Sequence, residues 1–92
     1  MREAELERWC VKKAQSLGFL LVKWTSPGNR GVPDRILLRP NKPPVFVEFK
    51  SPKGKLSPIQ CFTLDKLRSM GYHAVVIRSK DEFTELLSCI SR

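Results

Sequence analysis

Apolar residues recur near the N-terminus at helical spacing, through Leu6, Trp9, Cys10, Ala14 and Leu17, and predict an amphipathic helix over Arg2–Leu17 that Gly18 ends. Phe19–Trp24 (FLLVKW) is a short β-forming run, read as a strand, and Thr25–Gly31 (TSPGNRG) has the composition of a loop. Two further apolar runs, Arg35–Arg39 and Val45–Lys50, flank a PNKPP turn whose prolines cannot continue a ladder, which predicts a hairpin. After the basic loop Ser51–Ser57, the capping-box spacing of Ser57 and Gln60 opens a second helix that runs to Met70 and stops at Gly71. Its apolar positions Ile59, Phe62, Leu64, Leu67 and Met70 are expected mostly in the core. Tyr72–Ile77 reads as a fourth strand, buried on both faces and parallel to a neighbour. Ser79 and Glu82 open a last helix with Phe83, Leu86, Leu87 and Ile90 inward. The order α-β-β-β-α-β-α predicts an α/β fold, a small mixed sheet flanked by helices, as a single domain over residues 1–92.

The hairpin carries residues that packing does not require. Glu48 and Lys50 are two apart on one strand and share a face, because strand side chains alternate. Folding the chain about Asn41 and Lys42 brings Asp34 alongside Glu48 to Lys50, since antiparallel partners keep a constant index sum. Two carboxylates beside an ammonium suit a hard cation such as Mg²⁺ or Mn²⁺, which takes a few carboxylate oxygens plus water and substrate phosphate. Asp34 and Glu48 are therefore the candidate metal ligands, with the Phe49 backbone carbonyl as a further donor and Lys50 placed to orient water or stabilise transition-state charge. A third acid is sought on the first helix. At roughly 100° per residue, Glu3 falls inside the apolar stripe, Glu7 on its edge and Glu5 on the solvent side. The bland readings are first-turn acids that favour a helix N-terminus, and a surface ion pair for Glu48 and Lys50.

Charge widens the picture. With 17 Lys and Arg against 9 Asp and Glu, the net charge is +8, so polyanions and above all nucleic acid are the expected partners. Arg30 and Asn29 before the Asp34 strand, with Lys53 and Lys55 after Lys50, flank the acids as candidate phosphate contacts. Cys10, Cys61 and Cys89 each lie within an apolar pattern and are expected as buried free thiols in a reducing compartment. The only histidine is His73, and no two cysteines have ligand spacing, which argues against structural zinc. No apolar run reaches a membrane span and no signal-peptide core is visible, so the expected location is cytoplasmic.

These residues also carry a resemblance. GVPDR at Gly31–Arg35, VEFK at Val47–Lys50 and LSPIQ at Leu56–Gln60, in that order, resemble the signature of the VRR-NUC nucleases within the PD-(D/E)XK superfamily. The resemblance spans Glu3 to about Ile77 and implies a restriction-endonuclease-like core with metal-dependent phosphodiester cleavage. It makes Asp34 and Glu48 metal ligands, Lys50 the catalytic lysine and Gln60 an active-site residue. The family's helix-borne acid aligns with Glu3 first and Glu7 second. Short stand-alone members resemble Holliday-junction resolvases, implying a homodimer that cuts branched DNA, with Trp24 and the apolar side of the last helix as dimer candidates. The rival expectation is a non-catalytic DNA- or RNA-binding module in which Asp34 and Glu48 merely pair with Arg35 and Lys50.

Overall fold

The structure, a computed structural model, describes residues 1–91. Its elements follow the predicted order: α1 (Glu3–Ser16), β1 (Leu20–Lys23), β2 (Arg35–Leu38), β3 (Val45–Phe49), α2 (Pro58–Ser69), β4 (His73–Ile77) and α3 (Lys80–Ile90). Helices α1 and α2 end alike, because Gly18 and Gly71 take positive φ (79° and 92°). The next amide reaches back to close the last turn, Phe19 N–H to the Ala14 carbonyl and Tyr72 N–H to that of Leu67.

The four strands form one sheet in the order β1-β2-β3-β4. The first two pairings are antiparallel and the third is parallel, so the α2 crossover makes the sheet mixed. Strand β3 lies inside it with all five residues buried. Its alternation feeds two cores. Val45, Val47 and Phe49 join Leu6, Cys10 and Phe83 from α1 and α3, whereas Phe46 joins Leu64 and Leu67 of α2. Glu48 shares the parity of Phe46 and so faces the α2 side.

Several expectations are corrected. Strand β4 is covered on both faces, with Ala74 and Val76 on the α2 side and Val75 and Ile77 on the α1–α3 side, but it lies at the sheet edge and only Ala74 and Ile77 are fully buried. On α2, Leu64 and Leu67 face the sheet, while Ile59, Phe62 and Met70 are 48%, 69% and 56% exposed, so the helix presents a second apolar face outward. Cys10 is buried, and loss of water together with the nearby Glu7 charge pushes its thiol up to about 12. Cys61 and Cys89 are exposed instead, on the outer faces of α2 and α3. Phe83 and Leu87 are buried, and Leu86 and Ile90 pack against the same core. Trp24 stacks on Phe46 with ring centres 5.3 Å apart. Trp24, Leu86 and Ile90 are thus half-buried, packed on the interior on one side and lining surface grooves on the other. Among the described residues no helix is long and apolar enough to cross a membrane.

Candidate active site

The β2–β3 register pairs Arg35 with Val47 and Ile36 with Phe46. Continued one step, it sets Asp34 across from Glu48, and directly opposed residues of an antiparallel pair point to one face. Asp34 precedes β2, where its carbonyl accepts from the Trp24 amide at 3.1 Å and keeps the chain in the ladder. Its carboxylate Oδ2 accepts a 2.9 Å hydrogen bond from the Phe49 amide. That bond ties the first acid to the backbone between Glu48 and Lys50.

Glu48 is 2% exposed, the one buried charged side chain among the described residues. Burial is the main reason its carboxyl is pushed up to about 8, followed by the charge of Asp34 and a hydrogen bond between the two acids. Lys50 opposes the shift and Glu3 adds to it slightly, so both lie within electrostatic reach. Glu48 therefore keeps near neutral pH a proton that an ordinary glutamate loses around 4.5.

Gln60 joins this pair to the start of α2. Its Oε1 accepts from the Ser57 amide at 2.9 Å, and the Ser57 Oγ accepts from the Gln60 amide at 3.2 Å, completing the predicted capping box. With the side-chain oxygen so engaged, Nε2 is turned to donate to Glu48 Oε2 at 3.2 Å. The cap and the site role use opposite ends of one amide. The loop before Asp34 is pressed on the same helix turn at Gly31. A Cβ there would lie 2.5 Å from Thr63 Oγ1 and 2.7 Å from the Ile59 carbonyl, so only glycine permits the approach.

The first helix divides its acids differently from expectation. Glu3 is exposed and not inward, since it begins the helix and α1 packs through Leu6, Cys10 and Ala14. Glu7 is the half-buried one, and its carboxylate is 2.6 Å from Arg35 Nε. Arg35 also donates to the Leu21 carbonyl at 3.1 Å, which pins α1 to the far face of the sheet. Glu7 is thereby engaged, whereas Glu3 keeps a free carboxylate whose charge reaches Glu48. Glu7→Gln is expected to cost about 1–2 kcal/mol of stability, because the Arg35 guanidinium loses its charged acceptor. Glu3→Gln should leave urea unfolding unchanged and weaken metal binding instead. The opposite pattern in the two melts would reverse the assignment.

Arg30, Lys53 and Lys55 are exposed on loops on either side of the acids, and Asn29 lines a groove between its loop and α2. One contact was not foreseen: Arg78, just past β4, donates from Nη1 to the carbonyls of Ser51 and Gly54. No local pattern signals it, because the partners are far apart in sequence.

Among the described residues, no set of three or more His, Cys, Asp and Glu side chains converges. Asp34 and Glu48 alone form the acidic centre. Two adjacent carboxyls, one buried and holding a proton against its neighbour's charge, suit a divalent cation that also takes a backbone carbonyl and water. The donor set therefore fits a hard divalent cation such as Mg²⁺ or Mn²⁺, which Asp34, Glu48 and the Phe49 carbonyl would hold.

A mixed sheet with an antiparallel hairpin, a parallel fourth strand and acids at one end of the hairpin is the arrangement of a nuclease domain. Residues 2–81 match the VRR-NUC domain, and the chain belongs to that family. It is similar to "Putative nuclease p44" of Acyrthosiphon pisum secondary endosymbiont phage 1, with 37% identity over 81 residues that cover 88% of this chain and 87% of the relative. A solved structure described as a VRR_NUC domain superposes with a TM-score of 0.86 at 25% identity and covers 94% of each chain.

Proposed function

We propose that this domain is a Mg²⁺- or Mn²⁺-dependent endodeoxyribonuclease that hydrolyses phosphodiester bonds in branched DNA such as Holliday junctions. One observation carries the reading. Asp34 and Glu48 are held together in a buried setting, yet the only ion pairs among the described residues are Arg35–Glu7 and Arg68–Asp65. The rival module needs those two acids neutralised by Arg35 and Lys50, and Arg35 is spent on Glu7. Lys50 acts on Glu48 without forming an ion pair with it, which leaves both acids available to a cation.

The bound metal would lower the pKa of a coordinated water and offset charge on the scissile phosphate. The chain's own residues prepare for it. The Phe49 amide orients Asp34, Gln60 Nε2 fixes one oxygen of Glu48, and Lys50 sets a positive charge near Glu48 for the phosphate oxygens. Arg30, Lys53 and Lys55 hold flanking phosphates. Four-way junction DNA incubated with Mg²⁺ should yield discrete products, and EDTA should abolish them. Equal products in EDTA, or none with either metal, would refute the proposal.

A homodimer belongs to the same reading, because two related sites match the symmetry of a four-way junction. Its contact is assigned to the outward apolar face of α2, through Ile59, Phe62 and Met70. Sedimentation velocity should show a dimer that Phe62→Glu dissociates. A wild-type monomer at tens of micromolar would end this part of the proposal.

A further inference from the structure

The loop that carries Lys53 and Lys55 is a tight turn closed on itself and held from one side. The Gly54 amide donates to the Ser51 carbonyl at 3.0 Å. Arg78 Nη1 then donates to that Ser51 carbonyl at 2.9 Å and to the Gly54 carbonyl as well. A single guanidinium nitrogen thus bridges the first and last residues of the turn. Its place follows from the parallel register, in which Phe49 pairs with Ile77 and the Lys50 amide donates to the Ile77 carbonyl at 3.1 Å. Arg78 is the next residue along, so its side chain leaves the sheet beside the start of the loop. The strand end is itself fixed, because the Arg78 amide donates to Glu82 Oε1 at 2.6 Å.

The turn also lies near Lys50, since a Cβ added at Gly54 would come within 3.5 Å of Lys50 Cδ and 2.9 Å of Ser51 Oγ. Lys53 and Lys55 project from the same turn into solvent. The two exposed lysines therefore take their directions from a loop that Arg78 fastens to the sheet.

We infer that Arg78 is a positioning residue for DNA binding: it clamps the Ser51–Leu56 loop through two carbonyls and so aims Lys53 and Lys55 at phosphates. The inference rests on the proposed reading of the site as one that binds DNA. Arg78 commits Nη1 to two backbone oxygens, which makes it a clamp on the loop whatever its Nε and Nη2 contact. Ordering the loop before DNA arrives removes an entropic cost that a free loop would meet on binding.

A double-mutant cycle separates the clamp from a direct contact. Arg78→Met keeps the aliphatic stem, retains the amide that Glu82 holds and deletes the guanidinium. Junction affinity is read in EDTA at fixed salt, without cleavage, in two backgrounds. In the wild-type background, Arg78→Met should weaken binding roughly tenfold with little change in melting temperature. In the Lys53→Ala/Lys55→Ala background it should weaken binding less than about twofold, because the groups it aims are gone. An equal loss in both backgrounds would overturn the inference and make Arg78 a phosphate contact. No effect in the wild-type background, or an effect matched by a large fall in melting temperature, would overturn it too. If the wild-type domain does not bind the junction at all, the reading of the site itself fails, visibly and in a different arm.

Discussion

Lys50→Ala is expected to lower kcat for junction cleavage by about 10²–10³-fold, with DNA affinity changed far less. The reason is where the ammonium sits. Lys50 is half-buried, on the same face as Glu48 and close enough to oppose the upward shift of that acid. A charge held there is already in place when charge develops on the phosphate, so its effect concentrates in the transition state and not in ground-state binding. Lys53→Ala and Lys55→Ala should do the reverse, weakening binding and flattening its salt dependence while kcat at saturating DNA persists. Single-turnover rates with excess enzyme separate the two classes. A folded Lys50→Ala domain that cleaves at the wild-type rate would end the mechanism.

The second large effect is on stability against pH. In the unfolded chain Glu48 ionises near its ordinary 4.5, and in the folded metal-free domain it holds its proton to about 8. Between those values the folded state binds the extra proton, so this group's contribution is fully present below pH 4.5 and is lost as pH rises towards 8. The loss should register as a fall of several degrees or more in melting temperature, since about 1 kcal/mol moves a domain of this size by roughly 4–8 °C. Melts in EDTA from pH 5 to 8 should show the decline, and Glu48→Gln should flatten it, because the amide cannot ionise. Adding Mg²⁺ at pH 8 should restore stability, since a cation favours the ionised pair. A wild-type melting temperature that rises over this range would contradict the burial and pairing described for Glu48.

The hairpin chemistry was legible because it depends on two local rules, strand parity and antiparallel register. Those rules place Asp34, Glu48 and Lys50 together without knowledge of any other element. The capping role of Gln60 was equally local, whereas its bond to Glu48 depends on where α2 docks. Helix faces were less legible. Ile59, Phe62 and Met70 are apolar at helical spacing, but periodicity records hydrophobicity and not what covers it, and α2 rests on the sheet through Leu64 and Leu67. Glu3 and Glu7 show the same limit, since the helical wheel lacks the Arg35 partner that fixes Glu7. Strand β4 reads as doubly buried because Ala74, Val75 and Val76 are small and apolar, and its edge position follows only from the sheet order. The Arg78 clamp joins residues from separate loops, and nothing in either stretch announces the other.

The turn between β2 and β3 lies about 10 Å along the strands from the acids, at the opposite end of the hairpin. Asn41 bends it with a φ of 57°. Any insertion or deletion of one residue there would slide β3 against β2 by one position and rotate Asp34 and Glu48 onto opposite faces of the sheet. The number of residues in this exposed turn is thus a chemical variable. Among natural variants of the chain, sequence drift in the turn should be free while its length is fixed, and a domain engineered with a lengthened turn would lose the pairing of its two acids before it lost its fold.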